Sequence, residues 1–191
     1  MQSTKSLPAT YGHRGTFSLS NPKLAIGLNV VATVLFVVWV VLFLKIAASL
    51  HPELNTIEIR VGSPLQILPI FVLPIVSIVL HELVHGVFLW LFTREWPRFG
   101  FKVLWAYASS PGWYIPRNQY IVVALAPFVL ITLAGIGCLL FLPVSAALPV
   151  ILIMAANAAG AVGDMVVTGW IFTRSPVTFV SETDTLDVTI Y

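Results

Sequence analysis

The chain contains the run His81-Glu82-Leu83-Val84-His85. Histidines at positions i and i+4 of an α-helix stand one turn apart on the same face, so both imidazoles can reach a single ion. The glutamate after the first histidine is offset by about 100° of helical turn. It points away from that ion, yet it can reach a water held beside it. The chemistry implied is hydrolysis, in which a metal activates water and Glu82 serves as general base.

Zinc is the cofactor this pattern suits, and a catalytic zinc takes three protein ligands with one position left open. His13 and His51 lie outside the apolar stretches and read as solvated surface residues. Asp164 reads as the third ligand, the one ionisable residue within the last apolar stretch. The second stretch ends near Leu91 to Thr93 and the fourth near Phe172 to Arg174. The histidine pair and Asp164 each precede these ends by about nine residues, which at 1.5 Å per residue places both roughly 13 to 15 Å inside the boundary. A short aspartate requires close helices. Ala158, Ala159, Gly160, Ala161 and Gly163 permit such an approach, as does Gly86 beside His85. Asn157 lies two turns before Asp164 on the same face. Two roles stay open for it: binding a substrate carbonyl or developing oxyanion, or a hydrogen bond between helices.

These residues need elements that hold them, and the composition says which. Of 191 residues, 58% are hydrophobic and 9% charged, and the mean hydropathy is +0.95. A soluble domain carries about a quarter charged residues, so a lipid bilayer is the solvent this chain fits. The net charge of +2 comes with no basic run interleaved with aromatics, which excludes a nucleic-acid partner. Cys138 is the sole cysteine; it reads as a small core residue and forms no internal disulfide.

Four apolar stretches are each long enough to cross hydrocarbon: Leu24 to Leu50, Leu65 to Phe92, Tyr120 to Leu142 and Ala147 to Phe172. The first is too long for a secretory signal and reads as a retained anchor. The fold expected is an all-α membrane protein of about four transmembrane helices, with a short interfacial β-hairpin after the second. Residues 1–23 form a mobile cytoplasmic tail, 24–174 the four-span domain, and 175–191 a cytoplasmic C-terminal tail. Lys5, Arg14 and Lys23 precede the first span; Arg94, Arg98, Lys102 and Arg117 lie between the second and third. Arg60 is the only Lys or Arg between the first and second. Positive loops stay inside, so both termini are expected in the cytoplasm of a cell-membrane, multi-pass protein.

The connection from 94 to 118 has its own pattern. Phe99, Phe101, Val103, Trp105 and Tyr107 recur at a period of two, and Ser109-Ser110-Pro111-Gly112 signals a turn before Trp113-Tyr114-Ile115. This reads as a hairpin over 99–115 whose aromatics either anchor it among lipid headgroups or face substrate. The β-branched runs Val177–Val180 and Val188–Ile190 add a strand in the tail.

His81-Glu82-Leu83-Val84-His85-Gly86 in one span, with Asn157 to Asp164 in a later one, resembles the site-2 protease group of intramembrane zinc metalloproteases. More closely, it is similar to a family of small prokaryotic integral-membrane proteins described as zincin peptidases. The resemblance covers about Leu65 to Arg174. It implies that His81, His85 and Asp164 hold zinc and that Glu82 is the catalytic base, with a membrane protein or peptide as substrate. Two other classes remain in view: a metal-binding membrane protein without hydrolysis (a sensor or pseudoprotease), and an ion-coupled transporter. An intact Glu82 favours the enzyme, since a binder needs only the ligands.

Overall fold

The computed structural model of the chain describes residues 1–18, 21–56, 67–102, 105–183 and 187–191. Arg60, Leu65 and Val103, which entered the reading of loops, second span and hairpin, lie outside the described residues.

Helix α1 (Pro22–Leu50) starts where its sequence says it should. The Asn21 side chain accepts from the Lys23 amide at 3.0 Å, and Pro22 occupies the first helical position, where its missing N–H costs nothing. Helix α2 (Leu68–Thr93) has a proline at its first turn, carries Pro74 inside, and stops at Arg94 in a left-handed conformation, φ 58°. Helix α3 (Arg117–Phe141) begins directly after Pro116 and contains Pro127. The fourth stretch is two helices, α4 (Ala147–Gly160) and α5 (Val162–Phe172), broken at Ala161. Taken as one segment, it joins the other three in being long and apolar enough to cross a membrane.

The chain is mostly helical, and beside the hairpin expected after the second span it has a four-stranded sheet that the all-α expectation did not include. Strands β2 (Arg98–Lys102) and β3 (Trp105–Ser109) pair antiparallel, with Phe99 opposite Ala108 and Phe101 opposite Ala106. The strand pairing therefore falls within the alternating run itself, not across the Ser109–Gly112 turn signal. That turn exists, with the Trp113 amide donating to the Ser110 carbonyl at 3.2 Å. It hands the chain to β4 (Ile115–Pro116), which joins a different sheet. There β1 (Gly15–Ser18), β6 (Asp187–Ile190), β5 (Phe179–Glu182) and β4 lie in that order, antiparallel. The N-terminal segment read as mobile thus supplies an edge strand. Thr4 and Tyr114 also exchange backbone hydrogen bonds of 3.0 and 2.8 Å.

Helix α4 is central, packing against α1, α2 and α3. Half of the fourth segment's most apolar window is buried, against 11% for α1, which leaves α1 to show Val30, Val34, Val37 and Val38 outward. One core cluster joins α1, α3 and α4 through Phe43, Leu139, Ile151 and Met154. Small residues bring these helices together: Ala155 and Ala158 are buried, and a Cβ on Gly135 would lie 2.3 Å from Met154 Cγ. A second cluster joins α2, α3 and α5 to the four-stranded sheet through Leu89, Val123, Ile171 and Val180. Buried Arg117 locks that end, donating from Nε to the Ile171 carbonyl (3.2 Å) and from Nη2 to that of Phe172 (2.7 Å). The Ile171 carbonyl also accepts the Arg174 amide at 2.9 Å, so Arg117 adds a second donor at the end of α5.

Candidate metal centre

His81 and His85 sit one turn apart on α2, both buried. Their Nε2 atoms are 3.1 Å apart. Asp164 Oδ2 lies 3.0 Å from the Nε2 of His81 and 3.5 Å from that of His85. Ligand atoms about 2.0 to 2.2 Å from a tetrahedral ion would stand roughly 3.3 to 3.6 Å from one another. Three converging atoms near that spacing make a cradle of suitable size for zinc.

The proton positions follow from the outer partners. Asn157 Nδ2 donates to the Pro127 carbonyl at 3.2 Å, so its Oδ1 faces His81 Nδ1 at 3.0 Å, and that nitrogen must carry hydrogen. His85 Nδ1 lies 2.9 Å from the Val123 carbonyl, which can only accept. In the neutral rings both Nε2 atoms are then bare. Two lone pairs and a carboxylate oxygen aimed at one point repel each other unless a cation lies between them. The donor set therefore fits zinc, and the outer hydrogen bonds hold each ring in the tautomer a metal needs.

The break at Ala161 is what gathers the fourth segment's contribution. Asn157 falls in the last turn of α4 and Asp164 in the first turn of α5. There the aspartate sits at the positive end of its helix. The two side chains approach His81 from opposite sides of its ring, one at each nitrogen.

His81, His85, Glu82, Asn157 and Asp164 all line one cavity of about 280 Å³. The glycines act differently from the sequence expectation. A Cβ on Gly160 or Gly163 would meet nothing within 4 Å, so these positions leave the cavity open and the buried alanines make the helix contact. Gly86 makes room for the hairpin, since a Cβ there would be 2.4 Å from Phe99 Cζ. His13 bonds to Thr16 far along the chain from the centre. His51 is half-buried, bonded to the Leu139 carbonyl at 2.6 Å, and is not the solvated residue its position suggested.

Strand β3 forms one wall of the cavity through Ala106, Tyr107, Ala108 and Ser109. The Ala108 amide hydrogen-bonds the Glu82 carboxylate. Tyr120 of α3 and Glu182 of β5 line the same cavity, and the Tyr120 hydroxyl donates to Glu182 Oε1 at 2.7 Å. Sequence reasoning missed Ser109, Tyr120 and Glu182. The alternating pattern could have nominated the wall at 106–109; nothing local marks Glu182.

Residues 74–178, more than half of the chain, match a sequence family whose description is "Putative zincin peptidase". No curated protein and no solved structure matches.

Proposed function

Since the chain belongs to that zincin peptidase family, for which zinc is the implied cofactor, we propose that it is a zinc-dependent peptidase cutting peptide bonds within or next to a membrane. One observation carries the reading: the bare Nε2 atoms of His81 and His85 converge with Asp164 Oδ2 beside Glu82, in a cavity between apolar helices. His81, His85 and Asp164 would hold the ion. Bound zinc supplies a Lewis acid that polarises a carbonyl and eases the ionisation of water.

The protein's own groups do the rest. Glu82, held by the Ala108 amide, takes the proton of the attacking water on its carboxylate and returns it to the nitrogen of the departing amine. Asn157 orients His81 and Val123 orients His85, so neither ring has to reorganise as charge develops. Among the described residues strand β3 pairs only with β2, leaving its other edge for an extended substrate. By the two-residue alternation of a strand, the backbone polar groups of Ala106 face the same side as the Ala108 amide. A peptide laid along that edge gains main-chain hydrogen bonds while its carbonyl meets the centre. This suits a membrane-protein substrate that has unwound locally.

Zinc content and cleavage measured together test this. Wild-type protein should hold about one zinc. His81→Ala and His85→Ala should abolish tight binding, and Asp164→Ala should weaken it. Glu82→Gln should keep the metal and lose cleavage. Cleavage at the parent rate by Glu82→Gln would overturn the hydrolase reading and leave a metal-binding protein.

A further inference from the structure

The cavity has a second polar cluster on its strand side, apart from the metal-binding atoms. Glu182, from the last residue of β5, accepts the Tyr120 hydroxyl at Oε1, and the Ser110 amide also faces its carboxylate. Its other oxygen, Oε2, is buried and has no hydrogen-bond partner among the described residues. Ser109 Oγ, on a residue 2% exposed, is in the same condition. Buried polar atoms are nearly always satisfied in folded proteins. A carboxylate oxygen and a hydroxyl left unpaired on two residues that line one cavity mark it as a place where a ligand completes the bonding.

Charge identifies the ligand. Glu82, Asp164 and Glu182 put three carboxylates around the cavity, and no Lys or Arg is among its described lining residues. A divalent cation at the histidines offsets two of those charges. One remains, and Glu182 makes no ion pair with a Lys or Arg among the described residues, His85 being the ring whose charge acts on it. Burial pushes its carboxyl above the usual range, and a cation bound beside it would favour the charged form. Its position also lies beyond the segment that matches the family, 74–178.

We propose that Glu182, aligned by Tyr120 and assisted by Ser109, forms a subsite for a cationic group of the peptide substrate, an ammonium or a guanidinium. The identification of the ligand as a peptide rests on the peptidase reading; the preference for a cation does not. Two sources present this chemistry, a free N-terminal amine and a basic side chain close to the bond being cut.

Three fluorescent peptides alike in length separate the possibilities: one with a free amine and norleucine, one N-acetylated with lysine, and one N-acetylated with norleucine. Equilibrium binding to the zinc-loaded Glu82→Gln protein in detergent keeps the metal's charge in place and avoids any turnover. At least one cationic probe should bind about tenfold to a hundredfold more tightly than the neutral one, and which one does so names the source. Glu182→Gln keeps an acceptor for Tyr120 while removing the charge. It should erase the difference without changing affinity for the neutral probe or for zinc, an outcome a merely structural link would not give. Equal affinity for all three probes, no measurable binding of either cationic probe, or a preference that survives in Glu182→Gln overturns the inference. Failure of the peptidase reading looks different: the zinc-loaded protein would cleave none of the probes while the Glu182-dependent preference persisted.

Discussion

His85 Nδ1 donates to the carbonyl of Val123 at 2.9 Å, and Pro127 stands four residues further along α3. In an unbroken helix the amide of residue 127 would donate to that carbonyl. Proline has no amide hydrogen, so the Val123 oxygen is released from the helix ladder and faces the histidine. A residue that reads as a mere helix irregularity thus provides the acceptor that fixes a candidate metal ligand. Pro127 serves the other histidine too, since its own carbonyl receives Asn157 Nδ2.

Pro127→Ala therefore should restore a competing donor to Val123 and loosen His85. We expect zinc affinity to fall by up to about tenfold, toward the low end for outer-shell changes, while helical content is unchanged or higher. Competition titration against a zinc-binding dye checks this; unaltered affinity would remove Pro127 from the account.

Asn157→Leu should weaken zinc binding by about 10- to 100-fold, because His81 loses the acceptor that keeps hydrogen on Nδ1. Asn157→Asp retains an acceptor there but cannot donate to Pro127, so its loss should be smaller. The same titration ranks the three proteins, and a leucine variant that bound zinc as the parent does would contradict the orienting role.

The glycines divide into two kinds with opposite outcomes. Gly135→Ala drives a methyl into Met154, itself fully buried, and should cost about 1 to 3 kcal/mol of stability. Gly163→Ala meets nothing within 4 Å and should be neutral or stabilising by up to about 1 kcal/mol through helix propensity. Unfolding in detergent measures both. Gly163→Leu should go further, filling the cavity and blocking substrate while zinc binding survives.

Both termini and the 94–116 connection share the end of the bundle that carries the four-stranded sheet. Together with the positive residues there, this supports a cytoplasmic setting for that end. In a Cys138→Ala background, cysteines at Ser6, Trp96 and Ser175 should be protected from an impermeant reagent in intact cells, and one at Glu53 should react. Labelling at Trp96 from outside would reverse the orientation.

Much of the site was legible because it depends on regular geometry. The i, i+4 spacing put His81 and His85 on one helical face, and counting residues from each span's end put Asp164 at their depth; the 3.0 Å contact agrees. The lengths of the apolar stretches likewise anticipated four helices able to cross a membrane. Helical rise and turn are constants of the backbone, so sequence distance converts directly into height and face. The hairpin was half legible. Period-two alternation marked strands, but the turn signal at Ser109–Gly112 could not say that β4 would leave for another sheet.

What packing decided was everything that depends on which element lies beside which. Asn157 had two roles open along the chain, a substrate contact or a hydrogen bond between helices, and it is packing that sets its amide between His81 of α2 and the Pro127 carbonyl of α3. Gly160 and Gly163 looked like contact residues, yet they border open space, because the direction a Cβ points is set by how a helix is rotated against its neighbours. Glu182 had no local pattern at all. It reaches the cavity because a strand from the C-terminal segment pairs across to β4 and β6, and such long-range partnership is fixed by the assembled sheet, whose pairings no period along the chain encodes.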